Sequence, residues 1–184
     1  MAEKIILGID PGTLHLGYGI IAVNKNMIST VCLGEVRLNK LETQQLKLLK
    51  IYEKIKALIL EYKPDECAVE CPFYGENVQS MLKLGRAQGV AMVAALSLGL
   101  PVAEYYPKKV KQSVTGNGNA SKEQVAKMLQ TLCKMDVMPK SLDATDALAV
   151  AVCHHFNSGL GDGSGKKYSD WSSFLNDNKT RIKK

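Results

Sequence analysis

Three strand-like runs crowd into the first 38 residues of this 184-residue chain, with no space between them for a helix. Residues 5–10 (IILGID) are apolar and rich in β-branched side chains. Residues 16–23 (LGYGIIAV) follow a turn containing Pro11 and Gly12, and residues 27–38 (MISTVCLGEVRL) follow Asn24, Lys25 and Asn26. Connections this short cannot carry the crossover that parallel neighbours need, so the chain must open as an antiparallel meander. The period then changes. Leu48, Ile51, Tyr52, Ile55, Leu58, Ile59 and Tyr62 recur at steps of three and four, predicting a helix that Pro64 ends.

Beyond that helix the spacing predicts a strand over 65–70 (DECAVE), a helix over 77–98 and a strand over 101–106 (PVAEYY). Residues 107–114 read as a short helix or a turn, and 115–120 (TGNGNA) as a glycine-rich loop. Ser121 and Gln124 form a capping box for a helix over 122–133, and Ser141 is an N-cap for a last helix through Phe156. The order β-β-β-α-β-α-β-α-α predicts an α/β fold. Its mixed sheet joins an antiparallel hairpin set to parallel strands, with helices on both faces. One domain over 1–156 is expected, with 157–184 a flexible basic tail; Trp171 and Phe174 could dock a short helix on the body, or the tail could add non-specific DNA affinity.

Composition narrows the function classes. Apolar residues at 46% and charged residues at 23% exclude wholesale disorder. The charged start and the absence of an 18-residue apolar run argue against a secretory signal or spanning helix, so a soluble, cytoplasmic protein is expected. The net charge of +6 favours a polyanionic partner without identifying one. Cys32, Cys67, Cys71, Cys133 and Cys153 show no zinc-finger spacing and are expected as reduced thiols. The run 89–98 (GVAMVAALSL) is apolar on nearly every side of its helix; a second copy of the chain is the economical cover, so a homodimer is expected.

Asp10 and Glu70 each close a predicted strand, while Asp143 and Asp146 share one face of the last helix, three residues apart. Taken singly, each acid has a plain structural role: a turn before Pro11, or a favourable charge at a helix start. Together they would repel one another unless a cation sat among them. Oxygen donors without histidine or thiolate select Mg²⁺ or Mn²⁺, and two such ions would suit displacement at a phosphodiester.

At the level of motifs, GIDPG (8–12) with TLHLGYG, VECPFYGEN (69–77), LKLG (82–85), VKQSVTGNGNASKEQV (110–125) and DATDALAVAVCHH (143–155) resemble the RuvC family of Holliday junction resolvases, in family order. GIDxGT alone would be weak, because actin-like and sugar-kinase ATPases share it. The resemblance implies a ribonuclease-H-like fold and a homodimeric, Mg²⁺-dependent endonuclease that makes paired nicks in four-way DNA junctions, working beside a branch-migration helicase complex of the RuvA and RuvB type.

Asp10, Glu70, Asp143 and Asp146 match the family's catalytic acids. Lys111 and Lys122 match its lysines near the scissile phosphate, and Phe73 matches the aromatic that works against bases at the junction centre. Tyr74 and Asn77 in the same loop, and Lys108 and Lys109 before Lys111, are further candidate DNA contacts. The family's G-Q-A-R-G reads here as Gly85, Arg86, Ala87, Gln88, Gly89, so this arginine, also a candidate DNA contact, stands two positions early. The rival reading is a catalytically silent junction-binding protein of the same fold.

Overall fold

The computed structural model describes residues 4–25, 27–72, 77–136 and 141–158. The strands are β1 (Lys4–Asp10), β2 (His15–Asn24), β3 (Met27–Arg37), β4 (Glu66–Glu70) and β5 (Val102–Tyr105). The helices are α1 (Gln44–Tyr62), α2 (Val78–Leu96), α3 (Pro107–Thr115), α4 (Lys122–Leu132) and α5 (Leu142–Ser158). One mixed sheet runs in the order β3-β2-β1-β4-β5. The meander β1-β2-β3 is antiparallel, and β4 and β5 continue parallel to β1, as the connection lengths require.

Strand alternation divides the core into two layers. Leu7, Ile9, Leu16, Ile20, Cys67 and Val69 face α1 and α2, whereas Ile6, Ile21, Val23 and Ala68 face α3, α4 and α5. Local signals set the helix ends. Lys63 adopts a left-handed conformation (φ 47°) after α1, directly before Pro64. The capping box of α4 forms as expected: Gln124 N donates to Ser121 Oγ at 3.3 Å and Ser121 N to Gln124 Oε1 at 2.9 Å. The segment left as helix or turn is helical: Pro107 occupies its first turn, Gly116 (φ 78°) closes it, and Val110 and Val114 bury its inner side.

The most enclosed helix is α5, with residues 147–153 at 0–1% exposure. It lies against the sheet backbone because the strands offer glycine beneath it. Gly8 and Gly19 pair in register. A β-carbon on Gly19 would stand 2.8 Å from Leu148 Cα, and one on Gly8 would overlap the Ala147 carbonyl. By contrast, α2 buries Ala87, Ala91, Ala94 and Ala95 and leaves Val78, Leu82, Val93 and Leu96 more than half exposed.

The last helix continues to Ser158, so the expected boundary at 156 falls inside it, and Asn157 Nδ2 donates to Ser113 Oγ at 3.1 Å. The rest of the expected tail, including Trp171 and Phe174, lies outside the described residues. The five cysteines are free thiols, and burial pushes Cys67 up to about 12. Among the described residues no helix is long and apolar enough to cross a membrane.

Candidate active site

A single row across the sheet builds the site. Asp10 pairs with Gly17 and Gly17 with Glu35. On the other side, Ile9 pairs with Val69, so Glu70 follows beside Asp10, and Glu70 pairs with Tyr105. Alternation turns Glu35, Gly17, Asp10 and Glu70 toward the α5 layer. Gly17 is the gap in this row of acids, and the Asp143 carbonyl occupies the space where its β-carbon would be. The first turn of α5 therefore docks between Asp10 and Glu35.

Asp10, Glu70 and Asp146 line one cleft of about 260 Å³ together with Lys111 from α3 and Lys122 from α4. Lys122 Nζ donates to Asp146 Oδ2 at 2.6 Å, an ion pair that raises the lysine's pKa. Burial pushes the Asp10 carboxyl up to about 7, Asp146 and Asp143 add to the shift, and Lys122 opposes it. Burial likewise raises Glu70 to about 8, reinforced by Asp10 and Asp146 and opposed by Lys122 and Lys111. Two neighbouring carboxyls thus retain protons near neutral pH, a condition that a divalent cation would relieve by replacing those protons. The donor set in the cleft is all oxygen and fits Mg²⁺ or Mn²⁺.

Asp143, the fourth expected acid, is not among the residues that line this cleft, although its charge acts on Asp10. Its Oδ2 lies 3.5 Å from His15 Nδ1, and donor atoms of His15, Glu35 and Asp143 fall within 4.8 Å of one another, close enough to hold a metal ion. The sequence reading missed His15 and Glu35 and treated the acids as free of histidine. The signal was the register of the meander, which aligns Glu35 with Gly17 and brings the first residue of β2 beside α5.

The other expected contacts divide. Lys108 and Lys109 are exposed in the first turn of α3, and a β-carbon on Gly118 would meet the Lys108 stem at 2.8 Å, placing the glycine loop against that turn. Asn77 is the N-cap of α2, its Oδ1 accepting from Ser80 N at 3.0 Å. Phe73 and Tyr74 lie outside the described residues. Arg86 does not join the acids: it lines a groove between α1 and α2 with Leu48, Tyr52 and Val93, on the opposite face of the sheet. Gln88, two positions on, donates to Glu104 Oε2 at 2.6 Å, as the rotation of about 200° over two helical residues requires.

A mixed sheet in this order, with helices on both faces and acids at the carboxyl ends of β1 and β4, makes this a ribonuclease-H-like protein. The family model described as "Crossover junction endodeoxyribonuclease RuvC" matches residues 6–154. The protein of that name from Christiangramia forsetii is 53% identical over 99% of this chain and 94% of its own length, and that from Bacteroides fragilis is 51% identical over 98% and 97%. Among solved structures, Thermus thermophilus RuvC in complex with Holliday junction substrate superposes with a TM-score of 0.81 and 32% identity, covering 86% of this chain and 96% of that one. The yeast mitochondrial Holliday junction resolvase Ydc2, at 15% identity and TM-score 0.62, shares the fold. The chain belongs to the crossover junction endodeoxyribonuclease RuvC family.

Proposed function

We propose that this chain resolves four-way DNA junctions by metal-assisted hydrolysis of one phosphodiester per active site. The supporting observation is the convergence of Asp10, Glu70, Asp146, Lys111 and Lys122 on one cleft, in a family whose members are named for this activity. Asp10, Glu70, Asp143 and Asp146 would hold two divalent cations, Mg²⁺ or Mn²⁺. When bound, the cations supply Lewis-acid stabilisation of the charge that develops on the phosphate and lower the pKa of the attacking water. Lys111 and Lys122 face the phosphate from α3 and α4 and neutralise its non-bridging oxygens. The products are a 5′-phosphate and a 3′-hydroxyl, ends that a ligase can join. Phe73 stacks on bases at the opened junction centre, a contact worth about 1–3 kcal/mol per base. Lys108 and Lys109 extend the phosphate-binding surface along α3.

Paired nicks require two sites, and the bare side of α2 supplies the means. Val78, Leu82, Val93 and Leu96 are exposed, and β-carbons on Gly85 and Gly89 would meet nothing within 4 Å. In a homodimer built on this face, the two-fold axis would align with that of the junction and present identical sites to symmetry-related strands. The protein would act in the cytoplasm, after branch migration by a RuvA- and RuvB-type complex. A silent junction binder is the weaker reading, because four acids facing phosphates oppose binding unless they hold cations.

The test compares nicking of a synthetic mobile junction with nicking of linear duplex, with Mg²⁺ and with chelator. Selective, Mg²⁺-dependent nicking of the junction is expected. Asp143→Asn and Glu70→Gln should still bind the junction yet nick it at least about 10²-fold more slowly; wild-type nicking by either variant refutes the assignment.

A further inference from the structure

Glu35 is a third carboxylate on the row that carries Asp10 and Glu70, but its environment differs from theirs. Both of its oxygens are engaged: Oε1 accepts from Arg37 Nε at 2.9 Å, and Oε2 accepts from Ser141 Oγ at 2.8 Å. These two donors hold its pKa below the ordinary range. Ser141 in turn caps α5, its Oγ accepting from Ala144 N at 3.3 Å and its carbonyl from Thr145 Oγ1 at 3.0 Å.

The start of α5 is thereby held at two points, on Gly17 beneath and by Glu35 at the cap, and His15 Nδ1 lies 3.5 Å from the Asp143 carboxylate. The first turn of a helix is where fraying begins, and Asp143 lies two residues from the cap. Asp146, almost a turn deeper, has Lys122 as its own anchor.

We propose that Glu35, acting through Ser141, is a positioning residue that fixes the Asp143 end of the metal-binding cluster, with His15 restraining the Asp143 carboxylate. The inference rests on the reading of Asp143 as a metal ligand. Partners that orient a ligand typically change metal affinity about 10–100-fold when removed. Glu35 acts one bond further out, so a loss of about 3–10-fold is expected from the same cause.

The experiment titrates the full chain with Mn²⁺ alone, without DNA, following free Mn²⁺ by electron paramagnetic resonance well below each variant's melting midpoint. Glu35→Ala and Ser141→Ala should each weaken Mn²⁺ binding by that factor. The double variant should bind no more weakly than the worse single, because both remove one link. Glu35→Gln, whose amide oxygen can still accept from Ser141, should retain most of the affinity. Folded Glu35→Ala with wild-type affinity, beside a weakened Asp143→Asn, overturns the proposal, and so does a double variant in which the losses multiply. Unchanged affinity in Asp143→Asn would remove the ligand reading itself, and the proposal with it. Loss of a whole Mn²⁺ equivalent in both Glu35→Ala and His15→Ala would make the trio a metal site and overturn the positioning role. Should Glu35→Ala fail to fold, Ser141→Ala and Glu35→Gln carry the same comparison.

Discussion

The backbone of Asp143 rests directly on Gly17, the residue paired with Asp10 in the neighbouring strand. A side chain at position 17 would push the first turn of α5 off the sheet and carry Asp143 and Asp146 away from Asp10 and Glu70. Gly17→Ala is expected to cost about 1–3 kcal/mol through overpacking. Junction nicking should fall further than stability implies, by about 10²-fold, because misplacement of about 1 Å has that effect on a reaction set by geometry. Thermal melting beside single-turnover nicking, at a temperature where the variant is folded, checks both.

The raised Asp10 and Glu70 set a pH dependence with a definite sign. In the metal-free protein both carboxyls bind protons more tightly folded than unfolded, with pKa values of about 7 and about 8 against ordinary values of 3.8 and 4.5. The folded state then holds more protons, so stability falls as pH rises from about 4 to about 8. Asp10→Asn removes part of that penalty and should raise the melting temperature in chelator at pH 8.5 while changing it little at pH 4. The expected gain is on the order of 1–3 kcal/mol. Mg²⁺ should stabilise the wild type more at pH 8.5 than at pH 6, since cations compete with fewer protons there. Melts across that range, with chelator and with Mg²⁺, supply the measurement.

Lys122 is paired with Asp146 but half exposed, so the bridge itself contributes little to folding. Lys122→Ala should lower stability by about 0–1 kcal/mol and reduce nicking far more. It should also move the pH needed for metal binding upward, because Lys122 opposes the rise at both Asp10 and Glu70. Mn²⁺ titrations at pH 6.5 and 8 would reveal the move as a larger affinity gap between the two pH values than in the wild type.

The apolar side of α2 makes a prediction about assembly. Val93→Glu and Leu96→Glu place charge on an exposed face without touching the core. Sedimentation should show a dimer for the wild type and monomers for these variants. Their nicks on a junction should become uncoupled, leaving singly cut intermediates. A wild-type protein that sediments as a monomer at micromolar concentration would refute the dimer.

Much of the fold was legible because its signals are local. The short connections of the meander, the alternation in the strands, the capping box at Ser121 and the stop at Pro64 act within a few residues of one another. The four acids stood out as candidates from their places at strand ends and on one helix turn, and the structure brings Asp10, Glu70 and Asp146 to one cleft. The bare apolar side expected of α2 is present, since alanines line its inner face and larger aliphatics its outer one, while the helix enclosed on every side is α5. Asn77 serves as the cap of α2, a role its polar side chain fills wherever a helix begins.

The amino-acid order alone determined the element types and the sheet's mixed character, because periodicity and turn chemistry are properties of neighbouring residues, and it named the acids and lysines as candidates. Only the tertiary structure decided that Gly8, Gly17 and Gly19 admit α5 to the sheet, that Glu35 and His15 reach its first turn, and that Arg86 faces away from the cleft. Those outcomes depend on register and on close backbone approach between segments more than 100 residues apart, which no local pattern encodes.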